Sequence, residues 1–526
     1  MLPRSIRRLL ALVSVLVPLL VLVGGRAEAT PPQARTQAQA QGPSAELAAI
    51  ADRAKQAMAT NRFEDAAALY RQILQALPNE PGILMNLGMA LSMAGHSQEA
   101  IDPLTRALKL QPTLLPASLF LGQSYVETGK SEDAVAPLRT YVTAMPRNTQ
   151  ARALLASALL MSGHHRDAAT EFRRVSQETP ADAKAWYGLV QAYDALSQEA
   201  IDALAKTPEA PVYEPLLLAD ALEREGKLEE AFAFYKLSLE KLPRLRSTHD
   251  ALARLYTKTG HADWAAQQTT KARAIPLACP TARPAVTPTS AECEFRASRY
   301  LGVVSATAKR TDAESWYWRA RAYGELAAGA LAKLAAMPPS QELHELRAEL
   351  YRNQRRHQQS VQELKAALTF APNDPRLQRE LAKSIYFTRD WDTARAMFKS
   401  LLDRQPKDPE LQFFYGDILL QSQQAEAAVP YLQASVAADP SMPTAHAALG
   451  RALVQLGRFA DAIPHLEAVL AEDEDGSIHY QLARAYQGTG QTDRAKPLLD
   501  KYQQLQQATQ SQQLSGPPPA ITPPVP

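Results

Sequence analysis

Seven times along the chain a Gly and an Ala stand five residues apart around a short polar turn. The segments are Gly95–Ala100, Gly129–Ala134, Gly163–Ala168, Gly226–Ala231, Gly260–Ala265, Gly457–Ala462 and Gly490–Ala495. Gly95, Gly129 and Gly163 follow one another at 34 residues, and so do Ala100, Ala134 and Ala168. A fixed period in this range means stacked supersecondary units, each of which buries its apolar face only against its neighbours. A chain of 526 residues built this way grows by adding units, not by dividing into separate globular cores.

Within each period the apolar residues recur at spacings of three and four, which is the helical period, and no alternating strand pattern competes with it. The Gly supplies a turn conformation that a Cβ disfavours. A Pro near the end of the unit lacks an N–H and stops the second helix. In the unit from Pro81 the pattern is carried by Leu84, Leu87, Gly88, Leu91, Ala100, Leu104, Ala107 and Pro112. The unit from Leu115 carries Gly122, Tyr125, Ala134, Leu138 and Pro146. Units from Leu47, Thr149 and Val212 close with Pro78, Pro180 and Pro243; those from Gln341, Pro375 and Pro409 close with Pro372, Pro406 and Pro440. Two more begin near Pro443 and Gly476.

These residues resemble the tetratricopeptide repeat (TPR), in which small residues let two antiparallel helices, A and B, and the next helix A approach closely. The resemblance implies an all-α TPR solenoid of stacked helix hairpins, wound as a right-handed superhelix. The expected organisation is a targeting segment over 1–29, a disordered linker over 30–45 and an N-terminal array over 46–277. A Pro-rich connector over 278–291, a C-terminal array over 292–505 and a disordered Gln/Pro-rich tail over 506–526 follow. Besides this connector, two stretches depart from the pattern. Ala183 to Pro211 begins well with Trp186 and Tyr193 but has no turn Gly. Glu292 to Ser340 reads as a helix A holding Trp316, Ala320 and Tyr323, then a helix B over 324–336 ending at Pro338-Pro339.

Function is narrowed first by exclusion. The net charge is +2, so no basic field draws in nucleic acid. There is no Gly-x-Ser-x-Gly, no phosphate loop and no His-Glu-x-x-His, and no non-repeat stretch is long enough for a catalytic domain. His96, His164 and His261 each follow a turn Gly. Equivalent positions of successive repeats are separated by roughly 10 Å, the spacing of packed helices, which is too far for one zinc ion. They read as turn residues. No catalytic residue, cofactor or metal is expected.

The TPR resemblance puts helix A on an inner, concave wall and makes its outward positions the place where peptides bind. Carried onto the second half, these positions are Tyr317, Arg321, Arg379, Lys383, Phe413, Asp417, Arg451, Tyr480 and Arg484. The expected partner is a protein, met through an acidic or aromatic extended segment, because Arg pairs with carboxylates and aromatic side chains give large contact area. The five-residue clamp by which some TPR domains hold a chaperone's terminal carboxylate is matched only by Asn86. The expected role is thus a non-catalytic interaction scaffold, in an envelope assembly or export complex by analogy. A structural adaptor in polysaccharide export or synthesis machinery, or a non-catalytic subunit of an enzyme complex, are the alternatives.

Location is read from the first residues and the cysteines. Arg4, Arg7 and Arg8 precede an apolar run from Leu9 to Val23, and Ala27-Glu28-Ala29 forms a small-residue cleavage site. The chain is therefore expected to be periplasmic or secreted, with membrane association only if this segment stays attached. The two cysteines, Cys279 and Cys293, suit a disulfide in an oxidising compartment, with two unpaired thiols as the other reading.

Overall fold

The structure, a computed structural model, describes residues 43–277, 279, 290–514 and 521–524. The expected targeting segment at 1–29, the expected linker up to residue 42 and most of the expected connector lie outside the described residues. Among those described, all regular structure is helical: twenty-six α-helices and one short 3₁₀ turn, with no strand. None of these helices is long and apolar enough to cross a membrane.

Packing groups the chain into two compact units, one from the spans Met1–Pro211 and Leu277–Leu343, the other from Val212–Pro276 and His344–Pro526. The sequence instead suggests a linear division at 278–291. The units alternate along the sequence because the long helices described below, both in the first unit, pair across the intervening residues.

The first unit opens with four regular hairpins: Pro43–Ala59 with Phe63–Ala76, Pro81–Ala94 with Ser97–Leu110, Leu115–Glu127 with Ser131–Ala144, and Thr149–Met161 with His165–Glu178. The close approach within a hairpin is set by the glycine in the middle of helix A. A Cβ on Gly88 would lie 2.3 Å from Leu104 Cγ, and one on Gly122 would lie 2.4 Å from Leu138 Cγ. Leu104 and Leu138 are fully buried, so neither can retreat. Each turn is left-handed. Gly129 has φ 78° and open space around it. The next residue's N–H reaches back across the turn, from Lys130 to the Tyr125 carbonyl at 2.8 Å, and satisfies a carbonyl the helix end would otherwise leave bare.

At Ala183 the hairpin pattern stops. Instead of a helix, a turn and a helix, the chain runs as one 23-residue helix to Ala205, and Ala313–Ala335 does the same. The second of these corrects the expected helix A and helix B over 313–336: no turn interrupts it. Each is about 35 Å long at helical rise. Both are started by an Asp cap; Asp182 accepts from the N–H groups of Lys184 and Ala185, and Asp312 from that of Ser315. The two long helices pack on each other. The Tyr193 and Tyr323 rings stack with centroids 6.3 Å apart, and Ser197 Oγ donates to the Ala320 carbonyl at 2.9 Å. The contact moves forward along one helix as it moves back along the other, so the pair is antiparallel. Cys279 and Cys293 are joined in a disulfide, Cα to Cα 5.4 Å, next to the short helix Ala291–Arg296.

The second unit holds the hairpins Ala210–Arg224 with Leu228–Lys241 and Arg246–Lys258 with Ala262–Ala274, then five more from Gln341 onward. These five are Gln341–Asn353 with His357–Phe370, Pro375–Phe387 with Trp391–Arg404, Pro409–Gln421 with Ala425–Ala438, Pro443–Gln455 with Phe459–Ala468, and Ser477–Gly488 with Thr492–Leu514. The first helix of two of these hairpins, Ala210–Arg224 and Gln341–Asn353, crosses a boundary between the units. The last helix runs well past Gln506, where disorder is expected. Gln is a good helix former, Tyr502 packs its ring 5.2 Å from Tyr480, and Gln506 Nε2 bonds the Asp475 carbonyl at 2.9 Å.

Candidate interaction surface

The residues expected from sequence to bind a partner lie on first helices of their hairpins, except Tyr317 and Arg321, which lie on the long helix Ala313–Ala335. Seven of the nine residues named from sequence fall in the second unit. Tyr317 and Arg321 fall in the first. Tyr317 is no surface residue: it is 1% exposed, its ring 5.0 Å from Trp318, and its hydroxyl accepts from Arg321 Nη1 at 2.9 Å. The Arg321 guanidinium lies 4.5 Å from the Phe295 ring centre.

In the second unit the cations expected to meet an acidic partner already meet carboxylates of their own array. Arg379 Nη2 lies 2.6 Å from Asp408 Oδ2 and 2.6 Å from Gln405 Oε1, and its Nη1 lies 3.3 Å from Glu410. Lys383 Nζ donates to Glu410 at 2.9 Å and lies 3.3 Å from Glu380. Burial alone would lower the Lys383 pKa, but the bonds and charges of Glu410 and Glu380 outweigh it and hold the ammonium above its ordinary value. Arg352 pairs with Glu380, and Arg376 with Glu345 at 2.7 Å.

Arg451 reaches one repeat back to Asp417 at 2.7 Å. Asp417, 1% exposed, also accepts from the Tyr386 hydroxyl at 2.6 Å and from Gln421 at 3.2 Å. Burial, then the charge of Asp417, raises the Tyr386 pKa and keeps this hydroxyl a donor. The same device appears at Glu223. Its buried carboxylate accepts from Lys258 Nζ at 2.7 Å and from Arg254 at 3.2 Å, and the Tyr235 hydroxyl sits 2.7 Å from both Glu223 and Asp220. Burial would raise the Glu223 pKa; the bonds from Lys258 and Tyr235 and the charges of Arg254 and Lys258 pull it below the usual carboxylate range instead.

Sequence reasoning singled out the cations and missed their partners. The signal was present as an acid on the first helix of the next hairpin: Glu410 lies 27 residues after Lys383 and 31 after Arg379. Of the remaining residues, Phe413 is half-buried with its ring 5.1 Å from Phe414, while Tyr480 and Arg484 are exposed. The turn histidines also find acids: His96 Nε2 lies 2.6 Å from Glu64 and His164 Nε2 lies 3.1 Å from Glu132, whereas His261 stacks on Trp264 at 4.1 Å. Among the described residues no group of three or more His, Cys, Asp or Glu could hold a metal ion.

The first unit has a cavity of about 360 Å³ between its third and fourth hairpins, lined in part by Arg139, Arg152, Arg174, Asp167 and Glu171. Its charges are also internally paired. The buried Arg152 donates to Glu171 and to the Pro146 carbonyl, each at 2.6 Å, and Arg139 lies 3.2 Å from Asp167.

Tetratricopeptide-repeat family models match residues 51–114, 154–211 and 379–443 in one case and 419–478 and 453–515 in the other. The chain is a TPR protein. Neither family model is a catalytic one. No curated protein matches the chain significantly. Among solved structures, a TPR protein from Parabacteroides merdae is 13% identical and covers 65% of this chain and 99% of its own, with a TM-score of 0.31. MamA from Desulfovibrio magneticus is 21% identical over 33% of this chain and 98% of its own, at 0.29. YrrB, described as a TPR protein with an unusual peptide-binding site, is 20% identical over 32% of this chain and 89% of its own, at 0.26.

Proposed function

We propose that this TPR protein is a non-catalytic scaffold that binds another protein, through an extended segment laid across the first helices of its second unit. The observation that carries the reading is the ordered, interlocked surface those helices present. Cations and carboxylates of successive hairpins hold one another, so the surface is rigid before a partner arrives and little ordering cost opposes binding. An acidic segment would have to displace Glu410 and Asp408 from Arg379. Contacts to the less constrained Phe413, Tyr480 and Arg484 are therefore favoured over simple charge pairing. The proposed setting is the cell envelope, supported by the signal-like segment before Ala29 and by the Cys279–Cys293 bond, which persists in oxidising compartments.

Photo-crosslinking tests this directly. A benzophenone amino acid placed at Tyr480 or Phe413 in the full chain should trap one discrete protein from the envelope fraction. The same group at Lys399, exposed on a second helix, should not. Equal labelling from both faces, or none from Tyr480 and Phe413, would contradict the reading.

A further inference from the structure

Buried tyrosines of the second unit donate to carboxylates within their own array: Tyr386 to Asp417 and Tyr486 to Glu467. Tyr256, 2% exposed, does something different. Its hydroxyl donates at 2.7 Å to the backbone carbonyl of Thr522, 266 residues away in sequence, and among the described residues that is its one hydrogen-bond partner. A buried tyrosine needs such a partner, because an unmet hydroxyl carries the full desolvation cost.

The segment that supplies the carbonyl is Ile521-Thr522-Pro523-Pro524. Two consecutive prolines hold φ near −65° and bias Thr522, which precedes them, to extended backbone. The Thr522 carbonyl thus projects from a chain prepared for polyproline II, in which backbone groups make no internal hydrogen bonds. Ile521 and Pro524 are half-buried while Thr522 and Pro523 are exposed. The receiving side is aromatic: around Tyr256 stand Trp264, edge-on at 5.6 Å, and Phe232 at 5.9 Å, with His261 stacked on Trp264. Aromatic side chains with one polar donor are the chemistry that recognises extended Pro-rich segments, which lose little entropy on binding.

From this we infer that the Tyr256–Trp264 surface is a receptor for an extended Pro-rich segment, and that its resident ligand is the chain's own C-terminal Ile521–Pro524. The site lies on helices Arg246–Lys258 and Ala262–Ala274, away from Tyr480 and Arg484 in sequence, and does not depend on the scaffold reading. A tethered ligand acts at an effective concentration in the millimolar range, so the segment occupies its site unless a competing Pro-rich chain is abundant or tight-binding.

The experiment uses a fluorescein-labelled synthetic peptide spanning Gly516–Pro526 and follows its anisotropy. A chain ending at Ser515, beyond the last described helix, should bind the peptide saturably, while the full chain should bind it at least tenfold more weakly because its own tail competes. In the shortened chain Tyr256→Phe should weaken binding about two- to tenfold, the loss of one hydrogen bond. A peptide with both Pro523 and Pro524 changed to Ala should bind more weakly still. Circular dichroism on both variants reports whether the helices are intact. Should truncation disturb them, the full-length Tyr256→Phe chain gives the second measurement, with faster exchange of the Ile521 and Thr522 amides than in the unchanged protein. Equal peptide binding by the full and shortened chains, no binding by a folded shortened chain, or unchanged exchange in Tyr256→Phe would overturn the inference.

Discussion

The hairpin Leu115–Glu127 with Ser131–Ala144 and the long pair Ala183–Ala205 with Ala313–Ala335 are built from similar apolar spacings, yet they solve opposite problems. In the hairpin a left-handed residue, Gly129, breaks the helix after one face has been presented, and the partner helix arrives at once. In the long helices nothing at the corresponding place adopts that conformation, so the helix continues and must find its cover elsewhere. It finds it more than a hundred residues away, through Tyr193 on Tyr323 and Ser197 on the Ala320 carbonyl. The turn residue thus decides whether packing is local or distant, and distant packing is what makes the two units alternate along the sequence.

The largest effect that could break this comparison is expected at the distant contact. Tyr323 is 4% exposed, and Tyr323→Ala should destabilise the first unit by about 3 kcal/mol, as large-to-small aromatic changes do. Urea unfolding followed by tryptophan fluorescence should show an early transition that the hairpins of the second unit do not share. Replacing Cys279 and Cys293 by Ser removes the bond that closes a short loop at the start of the returning segment. It should cost the same unit up to ~3 kcal/mol in the chain-entropy account.

A local hairpin should be sensitive in a different way. Gly88→Ala places a methyl 2.3 Å from Leu104 Cγ and should cost about 1–3 kcal/mol. In the double variant with Leu104→Ala the two losses should fall well short of additive, because the smaller residue makes room for the methyl. Simple additivity would show that the glycine is not held by this contact.

Acid should act on the second unit through Glu223. Its carboxyl titrates below the ordinary value in the folded chain. The stabilisation it brings is therefore complete above the unfolded-state pKa of about 4.3 and is lost as pH falls through the depressed folded value. Thermal midpoints measured from pH 6 to pH 3 should fall, and in Glu223→Gln the fall should be shallower. The smallest effect is expected at a turn. Arg389 is exposed and has φ 65°, a conformation costly to a side chain with a Cβ, so Arg389→Gly should stabilise its hairpin, by no more than ~1 kcal/mol.

Much of this fold is legible in the sequence because its rules are local and repeat. Gly95 and Gly129 mark left-handed turns, and Gly88 and Ala100 mark the close approaches. The same turn is made without glycine at Asn61, Arg355, Arg389 and Gln423, with the Gln424 N–H reaching the Leu419 carbonyl at 2.9 Å as its glycine-bearing counterparts do. Residue type alone conceals those turns, since tertiary packing overrides the preference. The long helices were concealed for the complementary reason: the missing turn signal at 183–211 was visible, but the helix that covers it is specified nowhere near it. At the candidate surface the cations were legible and their satisfaction was not. Whether Arg379 is available to a partner depends on Glu410 and Asp408, which lie one repeat onward.

The pairing of Ala183–Ala205 with Ala313–Ala335 is the claim on which the account of the fold turns. Spin labels at the exposed positions Gln198 and Ala328, read by double electron–electron resonance, test it most directly. Packed helices with axes about 10 Å apart should give a narrow distribution within roughly 30 Å. A broad distribution centred beyond about 45 Å, more than these two packed helices allow, would contradict it.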